Sequence, residues 1–459
     1  MLSKEGPATA IGDINGDGND DIYIGAPKNQ IGKIYISQKN NFAELQQSAF
    51  AAEAIYEDTA AAFFDADNDG DLDLMVGSGG NEKEDQANYK NRLYLNNGKG
   101  IFTKSLNIIP TTNNNVSVIS PSDFDNDGDI DVFIASRSVP GVYGISPKHL
   151  LLENDGKGNF TNIIDKKAFK ISEIGMITDA VWEDIDNDNK KDLIIVGDWM
   201  APQIFKNTGR RLAPFKSNLS ALTGYWNAIS CVDLNNDGKN DLVLGNRGSN
   251  FSYKTTAQNP MNLFVNDFDA NGTIEQITTQ TINKKDIPIH LKKELSGQIP
   301  SIKKKNLSFA DYCQKSIQDI FEPEIITNAI KRKAVIQESI VAFNKKPGQF
   351  DVQILPKEAQ YSSINTICAT DVNNDGFLDL ILGGNQLDFK PQFGRLDANN
   401  GLVLMGSASK KFTFVPNKLS GINLTGEVKT IQLLKNKNKS TTILAVIKNN
   451  KPKIFRKND

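Results

Sequence analysis

Histidine and cysteine are scarce in this chain of 459 residues, which contains two histidines and three cysteines. His149 and His290 are too few for a histidine-rich metal site. No serine, histidine and aspartate stand at a spacing typical of a hydrolase triad, and three cysteines provide no disulfide framework. These absences leave carboxylates as the main chemically active side chains.

Long apolar runs and a strong net charge are also absent. No run of about 18 apolar residues occurs, so the sequence predicts no membrane-spanning helix. The first residues, MLSKEGPATA, lack the pattern of a signal segment. A formal net charge of −3, together with the lack of a basic aromatic strand face, argues against nucleic acid as a partner. The 39% of apolar residues can still form a large core.

Aspartate is abundant, and it is clustered. The segment FFDADNDGDLDLMVGSGG, residues 63–80, places five aspartates within nine positions. Carboxylates this close raise one another's pKa unless a cation lies among them. Asp or Asn at positions 1, 3 and 5 with Gly at 6 is the start of an EF-hand calcium loop. Here, however, the last acid is at position 9 and the flanking residues alternate as in strands, so the pattern predicts a calcium loop between two β-strands.

The same loop recurs with a nearly constant period. Its first aspartate stands at positions 13, 65, 123, 184, 233 and 371, so the first five copies are 49 to 61 residues apart. Each copy precedes an apolar run that ends near Gly, and a further strand follows. A repeat of this length with four short strands is typical of a propeller blade. We therefore expect an all-β, seven-bladed β-propeller over residues 1–459, with calcium loops in six blades.

Two copies depart from the pattern. Asn189 replaces Gly in the fourth loop, and Asn is the residue next best able to adopt a left-handed turn, so we expect this loop still to bind metal. We expect the binding to be weaker, since Lys190 and Lys191 replace neutral or acidic neighbours. The segment 267–275 follows its predecessor by only 34 residues and ends in Glu275; it falls where the second hairpin of the fifth blade is expected, and a charged hairpin without metal is the alternative. The candidate metal ligands are Asp13, Asn15, Asp17 and Asp21; Asp65, Asp67, Asp69 and Asp73; Asp123, Asp125, Asp127 and Asp131; Asp184, Asp186, Asp188 and Asp192; Asp233, Asn235, Asp237 and Asp241; Asp267, Asp269, Asn271 and Glu275; and Asp371, Asn373, Asp375 and Asp379.

Two segments fall outside the repeat. Residues 284–340 change from alternating to helical periodicity and are rich in lysine, which predicts a helical insertion. Its lysines form either a solvated face or a docking patch for an acidic partner. Residues 421–459 have the strand pattern of a last blade, but the turn at 436–439 is basic, so we expect no calcium loop there. About three strands are visible in this blade, which suggests a fragment or a chain whose preceding segment has been removed.

The loops resemble those of the FG-GAP/VCBS repeat families, whose propellers include the integrin α-subunit head. Segments such as EGPATAIGDINGDG, GYWNAISCVDLNNDG and DVNNDGFLDLILGGN are also similar to large bacterial FG-GAP proteins related to cartilage acidic protein. No ASPIC/UnbV domain, which often accompanies them, is recognisable. The resemblance implies an exported protein that is extracellular or associated with the outer membrane, and it implies the fold more than the function.

In a blade the calcium loop lies on one face of the ring, and the loops that follow the second strands emerge on the opposite face. Aromatic and arginine side chains there can bind a planar or carboxylate-bearing ligand, although the tryptophans can instead seal gaps between blades. The first hypothesis is a binding or adhesion module, alone or as part of a larger chain or complex, whose partner is a protein or glycan at the cell surface. The alternative is an enzyme that acts on an extracellular polysaccharide at the channel mouth, although fold alone licenses no chemistry. The candidate rim residues are Arg137, Tyr143, Trp199, Trp226, Arg247, Asn250 and Arg395.

Overall fold

The computed structural model of the protein describes residues 5–38, 41–80, 88–305, 308–388, 394–437 and 441–457. Within these ranges the chain forms eight antiparallel sheets and seven short α-helices. No helix in these ranges is long and apolar enough to cross a membrane. The expected all-β fold is confirmed.

The first four sheets, called sheets 1 to 4, follow one another along the chain. Each is a meander in which every strand pairs with the next. Their strands are β1 (Thr9–Gly12), β2 (Asp21–Ile24), β3 (Lys33–Gln38) and β4 (Asn41–Leu45); β5 (Glu57–Phe64), β6 (Asp73–Gly79), β7 (Arg92–Leu95) and β8 (Thr103–Lys104); β9 (Asn115–Ser122), β10 (Asp131–Ser138), β11 (Leu150–Asn154) and β12 (Phe160–Asn162), followed by α1 (Ile164–Lys167); and β13 (Met176–Glu183), β14 (Asp192–Met200), β15 (Gln203–Asn207) and β16 (Leu212–Phe215).

The fifth sheet is interrupted by an insertion that carries a sheet of its own. A short strand, β17 (Gly224–Tyr225), first pairs with the second strand of sheet 4. The strands and helices that follow are β18 (Ala228–Val232), β19 (Asp241–Gly245), β20 (Met261–Asn266), β21 (Glu275–Ile282), β22 (Lys285–Pro288), α2 (Lys292–Gln298), α3 (Ser301–Lys305), α4 (Phe309–Cys313), α5 (Ile317–Ile320), α6 (Pro323–Asn328), β23 (Ile330–Ala334), β24 (Ile340–Lys346) and β25 (Gln349–Ile354). Sheet 5 has the order β18-β19-β24-β25, whereas β22-β21-β20-β23 form a separate sheet, called the inserted sheet.

Sheets 6 and 7 complete the chain. Sheet 7 has three strands in the described residues, and part of the basic turn predicted at 436–439 lies outside them. The elements are β26 (Ile364–Thr370), β27 (Asp379–Gly384), β28 (Leu402–Met405), β29 (Thr413–Val415), α7 (Asn417–Ser420), β30 (Val428–Leu434), β31 (Thr442–Ile447) and β32 (Lys453–Arg456).

Sheets 1 to 7 are arranged around one central cavity of ≈ 350 Å³. The first strand of each of these sheets contributes to its lining, and sheet 1 packs on sheet 7 through Ile22, Leu434 and Leu444, which closes the ring. Sheets placed radially around a channel form a β-propeller. The lining residues include Thr9, Ala60, Val118, Thr178, Ile229, Thr366 and Thr430.

The second strands form the centre of the core because both of their faces are covered by neighbouring sheets. All seven residues of β6 and all nine residues of β14 are buried, and sheets 2 and 3 share one apolar cluster that contains Met75 and Val132. Continuous apolar runs such as DLIIVG are typical of strands buried on both faces. The core therefore consists of successive layers between adjacent sheets.

The inserted sheet lies between the propeller and a layer of helices. Met261, Leu263 and Val265 on β20 pack against the aromatic residues of sheet 4, whereas Phe264 faces the opposite way into a cluster with α2 to α5. The Nε of Arg332 on β23 donates a 2.5 Å hydrogen bond to a backbone carbonyl of the β10–β11 connection. This alternation on β20 follows from the two-residue period of a strand.

The structure differs from the sequence prediction in the extent of the insertion. The segment between β19 and β24 contains a four-stranded sheet as well as the helices expected within 284–340. The loop 267–275 joins β20 to β21 of that sheet, so it does not lie in a hairpin of the fifth blade. The second half of sheet 5 is instead β24 and β25: β24 pairs with β19 across the whole insertion, and β25 pairs with β24.

Candidate metal loops and the channel mouth

Each candidate loop is wrapped around the carboxylate of its first residue. In the first loop both oxygens of Asp13 accept backbone hydrogen bonds, at 2.8 Å from Gly16, 3.1 Å from Asp17 and 2.8 Å from Gly18. Asp233 and Asp371 make the equivalent bonds in their loops. The loops therefore share one backbone conformation.

Two positions of the loop require a left-handed backbone. At position 6, Gly70 has a φ of +92°, and Asn189 in the fourth loop has a φ of +63°. Asparagine therefore takes the place of glycine there, as expected from its tolerance of this region. Position 4 is also left-handed, which explains why Asn68, Asn126 and several equivalents stand there.

The last acid of the loop is buried at the start of the second strand. Asp73 is 1% exposed, and its oxygens accept backbone hydrogen bonds from Ala66 at 2.9 Å and from Asn96 at 2.8 Å. Burial raises the pKa of Asp73 to about 7, since desolvation disfavours the charged form. This residue joins its own loop to the third strand of the same sheet. The pKa values of Asp21 and Asp131 are raised to about 7, and that of Asp192 to about 6, for the same reason.

Four of the loops bring three carboxylates together so that one oxygen of each lies within 4.8 Å of the others. Several of these oxygens are buried and have no hydrogen-bond partner, among them Oδ1 of Asp65, Asp67 and Asp123. Hard oxygen donors of this kind suit a cation such as Ca²⁺ or Mg²⁺. The four groups are Asp65, Asp67 and Asp73; Asp123, Asp125 and Asp127; Asp184, Asp186 and Asp192; and Asp267, Asp269 and Glu275.

In the first, fifth and sixth loops an asparagine stands at position 3. The amide nitrogen of Asn235 donates to Asp241 at 2.8 Å, and that of Asn373 donates to Asp375 at 2.9 Å. In the first loop the amide oxygen of Asn15 accepts from the backbone of Asp17. These loops carry fewer carboxylates than the second and third loops, because a neutral amide replaces the carboxylate at position 3.

The fourth loop contains a cation from the protein itself. The ammonium of Lys206 on β15 bonds to Asp186 and lies 3.0 Å from Asp188. The bond to Asp186 raises the pKa of Lys206 above its ordinary value. Two of the four candidate ligands of this loop are therefore already paired.

An asparagine at the end of the third strand was not predicted from the sequence. The side chain of Asn154 donates to the carbonyl of Ile130 in its own sheet and, at 2.9 Å, to that of Ala66 in the loop of the preceding sheet. The turn motifs NNGKG, NDGKG and NTG carry it in sheets 2 to 4, so a comparison of these turns could have indicated it. The equivalent bonds to the preceding loop are Asn96 to Ile14, Asn207 to Phe124 and Asn344 to Ile185.

The structure brings part of the predicted rim together. The guanidinium of Arg137 bonds to Asp198 at 2.8 Å and to Glu5 at 2.9 Å. Tyr143 donates to Asp198 at 3.2 Å and accepts from the indole of Trp199 at 2.9 Å. Residues from sheets 3 and 4 thus form one hydrogen-bonded network on the side opposite the metal loops.

The inserted sheet covers much of this network. Trp199 is buried against Met261 and Leu263 of the inserted sheet, and its ring contacts that of Tyr225 edge to face at 4.8 Å. The guanidinium of Arg247 lies 3.8 Å from the centre of the Tyr225 ring. Trp199 is therefore a packing residue beneath the insertion.

The structure contradicts the placement of Trp226 on an accessible rim. Its side chain is 0% exposed and packs in the apolar cluster between sheets 4 and 5, while its indole donates to Leu222. Trp182 likewise donates across a sheet boundary to Ser120. These two tryptophans seal gaps between sheets, which was the alternative interpretation.

Asn250 and Arg395 are the exposed members of the predicted rim. Asn250 follows β19 and donates to the carbonyl of Tyr361 at 3.2 Å. Arg395 lies in the connection between β27 and β28, and both side chains are exposed. Both connections emerge on the side opposite the metal loops.

The channel mouth is strongly polar. Lys448 bonds to Asp388 at 2.8 Å and lies 3.5 Å from Glu427, which in turn bonds to Lys429 at 2.7 Å. Together with Arg137 these residues line the central cavity. Charges of both signs therefore alternate around the opening.

A protein-family model described as an FG-GAP-like repeat matches residues 13–76, 80–134 and 184–244. These segments contain the whole of the first five loops. The chain thus contains FG-GAP-like repeats within its propeller, as the loop motifs predicted. A comparison with curated protein sequences finds no significant match.

Solved structures with a similar arrangement share little sequence. The chain is similar to BBS1N in its crystal structure with ARL6DN, with 11% identity, coverage of 100% of this chain and 94% of the other, and a TM-score of 0.47. The Dos1 propeller has 9% identity, coverage of 99% and 93%, and a TM-score of 0.45. The V. cholerae biofilm matrix protein Bap1 has 10% identity, coverage of 97% and 85%, and a TM-score of 0.37.

Proposed function

We propose that this protein is a seven-bladed, calcium-binding β-propeller that acts outside the cell as a binding or adhesion module for a protein or glycan partner. Sheets 1 to 7 are the blades, since the first strand of each lines the same cavity. The inserted sheet is not a blade, because it contributes no residue to that lining within the described chain.

The observation that carries the metal assignment is the set of buried carboxylate oxygens without hydrogen-bond partners. In the second loop these belong to Asp65, Asp67 and Asp71, in the third to Asp123 and Asp125, and in the fourth to Asp186 and Asp192. A buried ionised oxygen without a donor is costly, and a divalent cation within the loop satisfies several such oxygens at once. Asp269 supplies a similar oxygen in the inserted sheet, so that loop is included in the assignment.

Calcium fits better than magnesium because the loops are irregular. Ca²⁺ accepts six to eight oxygen ligands in flexible geometry, whereas Mg²⁺ demands a smaller octahedron. The residues assigned to calcium are those of the first, second, third, fifth and sixth loops together with 267–275. The fourth loop is considered separately below.

Chelation tests this assignment. Each saturated site contributes about 4 kcal/mol at a 1,000-fold excess of free Ca²⁺ over Kd, so removal of calcium should lower the thermal midpoint strongly, and Ca²⁺ should restore it better than Mg²⁺. Asp67→Ala should lower the number of bound ions by about one without unfolding the ring, whereas Asp397→Ala, an exposed change outside the loops, should not. A midpoint that exhaustive chelation leaves unchanged would refute the assignment.

The partner surface is placed opposite the metal loops. This proposal is supported by the connections on that side, which expose Asn250 and Arg395. Arg395 precedes Leu396, whose backbone pairs with Gln386 of the cavity lining. Arginine can form forked hydrogen bonds to carboxylates of a glycan or a protein. Exposed side chains there can be changed without loss of core packing.

A glycan and protein array with the calcium-loaded protein tests the partner class. Arg395→Ala and Asn250→Ala should weaken binding to a partner so identified, and Arg210→Ala should leave it unchanged, because Arg210 lies in the exposed β15–β16 turn on the metal-loop side. Product formation from an array glycan would favour the enzyme hypothesis. Normal binding by both rim variants would refute this placement of the surface.

A further inference from the structure

The fourth loop has the backbone of its relatives but a different charge balance. Its first carboxylate, Asp184, accepts backbone hydrogen bonds from Asp188 at 3.0 Å and from Asn189 at 2.7 Å, as the first aspartate does in the other loops. The loop is therefore correctly folded for a cation. Lysine ammonium groups, however, lie directly against its carboxylates.

Lys206 reaches this loop from the neighbouring strand. It stands on β15 directly before Asn207, and its ammonium bonds to Oδ2 of Asp186 and lies 3.0 Å from Oδ2 of Asp188. These aspartates occupy positions 3 and 5 of the loop, where metal ligands are expected. Lys190 adds a second ammonium 3.7 Å from Asp188.

The corresponding positions in other sheets carry no cation. The residue before the asparagine at the end of the third strand is Leu95 in sheet 2, Glu153 in sheet 3 and Phe343 in sheet 5. In the second and third loops, carboxylate oxygens at positions 1 and 3 remain buried without a partner. In the fourth loop Asp186 and Asp192 also keep one such oxygen each, but the other oxygen of Asp186 is bonded to Lys206. Lys410 lies 3.9 Å from Asp237 at position 5 of the fifth loop. Among the described residues, however, the fourth loop is the one in which an ammonium contacts the carboxylates at both positions 3 and 5.

An ammonium and a divalent cation compete for the same oxygens. Lys206 donates hydrogen bonds to two carboxylates, and a calcium ion placed among them would be repelled by a positive charge a few ångströms away. Displacement of Lys206 would require its strong, charge-assisted bonds to break. The equilibrium therefore favours the lysine at ordinary calcium concentrations.

We propose that the ammonium of Lys206 takes the place of calcium in the fourth loop, so that sheet 4 is closed by an internal ion pair and binds no calcium. This inference rests on the proposed calcium binding of the other loops. It divides the ring into calcium-dependent blades and one blade whose loop is neutralised without metal.

Counting bound ions by native mass spectrometry or equilibrium dialysis tests the inference. As a single change in the otherwise unaltered chain, Asp184→Asn should leave the number of bound ions unchanged. The matched change Asp65→Asn in the second loop should lower that number by one. Lys206→Met, which keeps the length of the side chain without its charge, should raise the number by one. A loss of one ion in Asp184→Asn, or no gain in Lys206→Met, would overturn the proposal.

Stability without calcium provides a second readout. In excess chelator Lys206→Met should lower the thermal midpoint, because it leaves the loop's carboxylates without a cation, and added Ca²⁺ should reverse the loss. Lys157→Met, in an exposed turn of sheet 3, should change neither value. If the protein bound no calcium at all, the proposed function would fail, yet a lower midpoint of Lys206→Met in chelator would still support the lysine's role. An unchanged midpoint there would refute that role.

Discussion

Replacement of Asn154 tests whether side chains tie neighbouring blades together. Its amide nitrogen donates to Ala66 at 2.9 Å and to Ile130 at 3.2 Å, and its amide oxygen accepts from the backbone of Asp155 at 2.9 Å. Asn154→Leu removes all three bonds and leaves two carbonyls without this donor. A buried polar group left unpaired costs about 1–3 kcal/mol, whereas the exposed Asp155 amide can turn to water.

The expected loss is therefore about 2–4 kcal/mol of unfolding free energy, since the added apolar burial of leucine offsets part of the cost. Urea unfolding at saturating Ca²⁺ measures it. Asn154→Asp should cost at least as much, because it points acceptors at carbonyls, and Asn159→Ala in the same exposed turn should cost less than about 0.5 kcal/mol. If Asn154→Leu and Asn159→Ala were equally stable, the tie would have no energetic role.

Two further predictions concern buried charge. Burial lowers the pKa of His149 to about 3, whereas an unfolded histidine titrates near 6.5. Because the unfolded chain binds more protons between these two values, stability is lost as pH falls from about 6.5 towards 3. His149→Gln should therefore flatten this part of the plot of thermal midpoint against pH, and parallel curves for the two proteins would contradict the prediction. Arg92 and Asp58 form a buried ion pair at 2.5 Å. Arg92→Met should therefore lower the unfolding free energy by about 3–5 kcal/mol, because it leaves a buried carboxylate without its cation. The double variant with Asp58→Asn should recover part of that loss in the same unfolding assay, and no recovery would contradict the pairing.

The loops could be predicted from sequence because their chemistry is local. Positions 1, 3, 5, 6 and 9 of each repeat are determined by a turn a few residues long, and the constant interval between copies implies repeated blades. The side-chain ties were missed because their partners lie 82 to 159 residues away. Asn344, for example, bonds to Ile185, and no local pattern indicates that pairing.

The insertion could be predicted only in part, because the strands that define it pair with partners that are distant in the sequence. Its helices have a clear 3.6-residue period, but EQITTQTI on β21 is equally consistent with a blade strand. The pairing of β19 with β24 joins Leu244 to Ile340 across the whole insertion. The expectation that the loops after the second strands share one face correctly placed Arg137 near Trp199. It could not show that another sheet would cover the indole of Trp199.

The side-chain ties make the resistance of the ring to a pulling force differ between its sheets. They link sheets 1 to 5 in an unbroken series, because each of Asn96, Asn154, Asn207 and Asn344 grips the loop of the sheet before it. Gly406 stands at the equivalent position of sheet 6, where its backbone alone bonds to Asp379, so the series of third-strand asparagine bonds ends at sheet 5. A pulling force applied to the closed ring should therefore open it on the side of sheets 6 and 7 and leave a five-sheet arc that comes apart later, at a higher load.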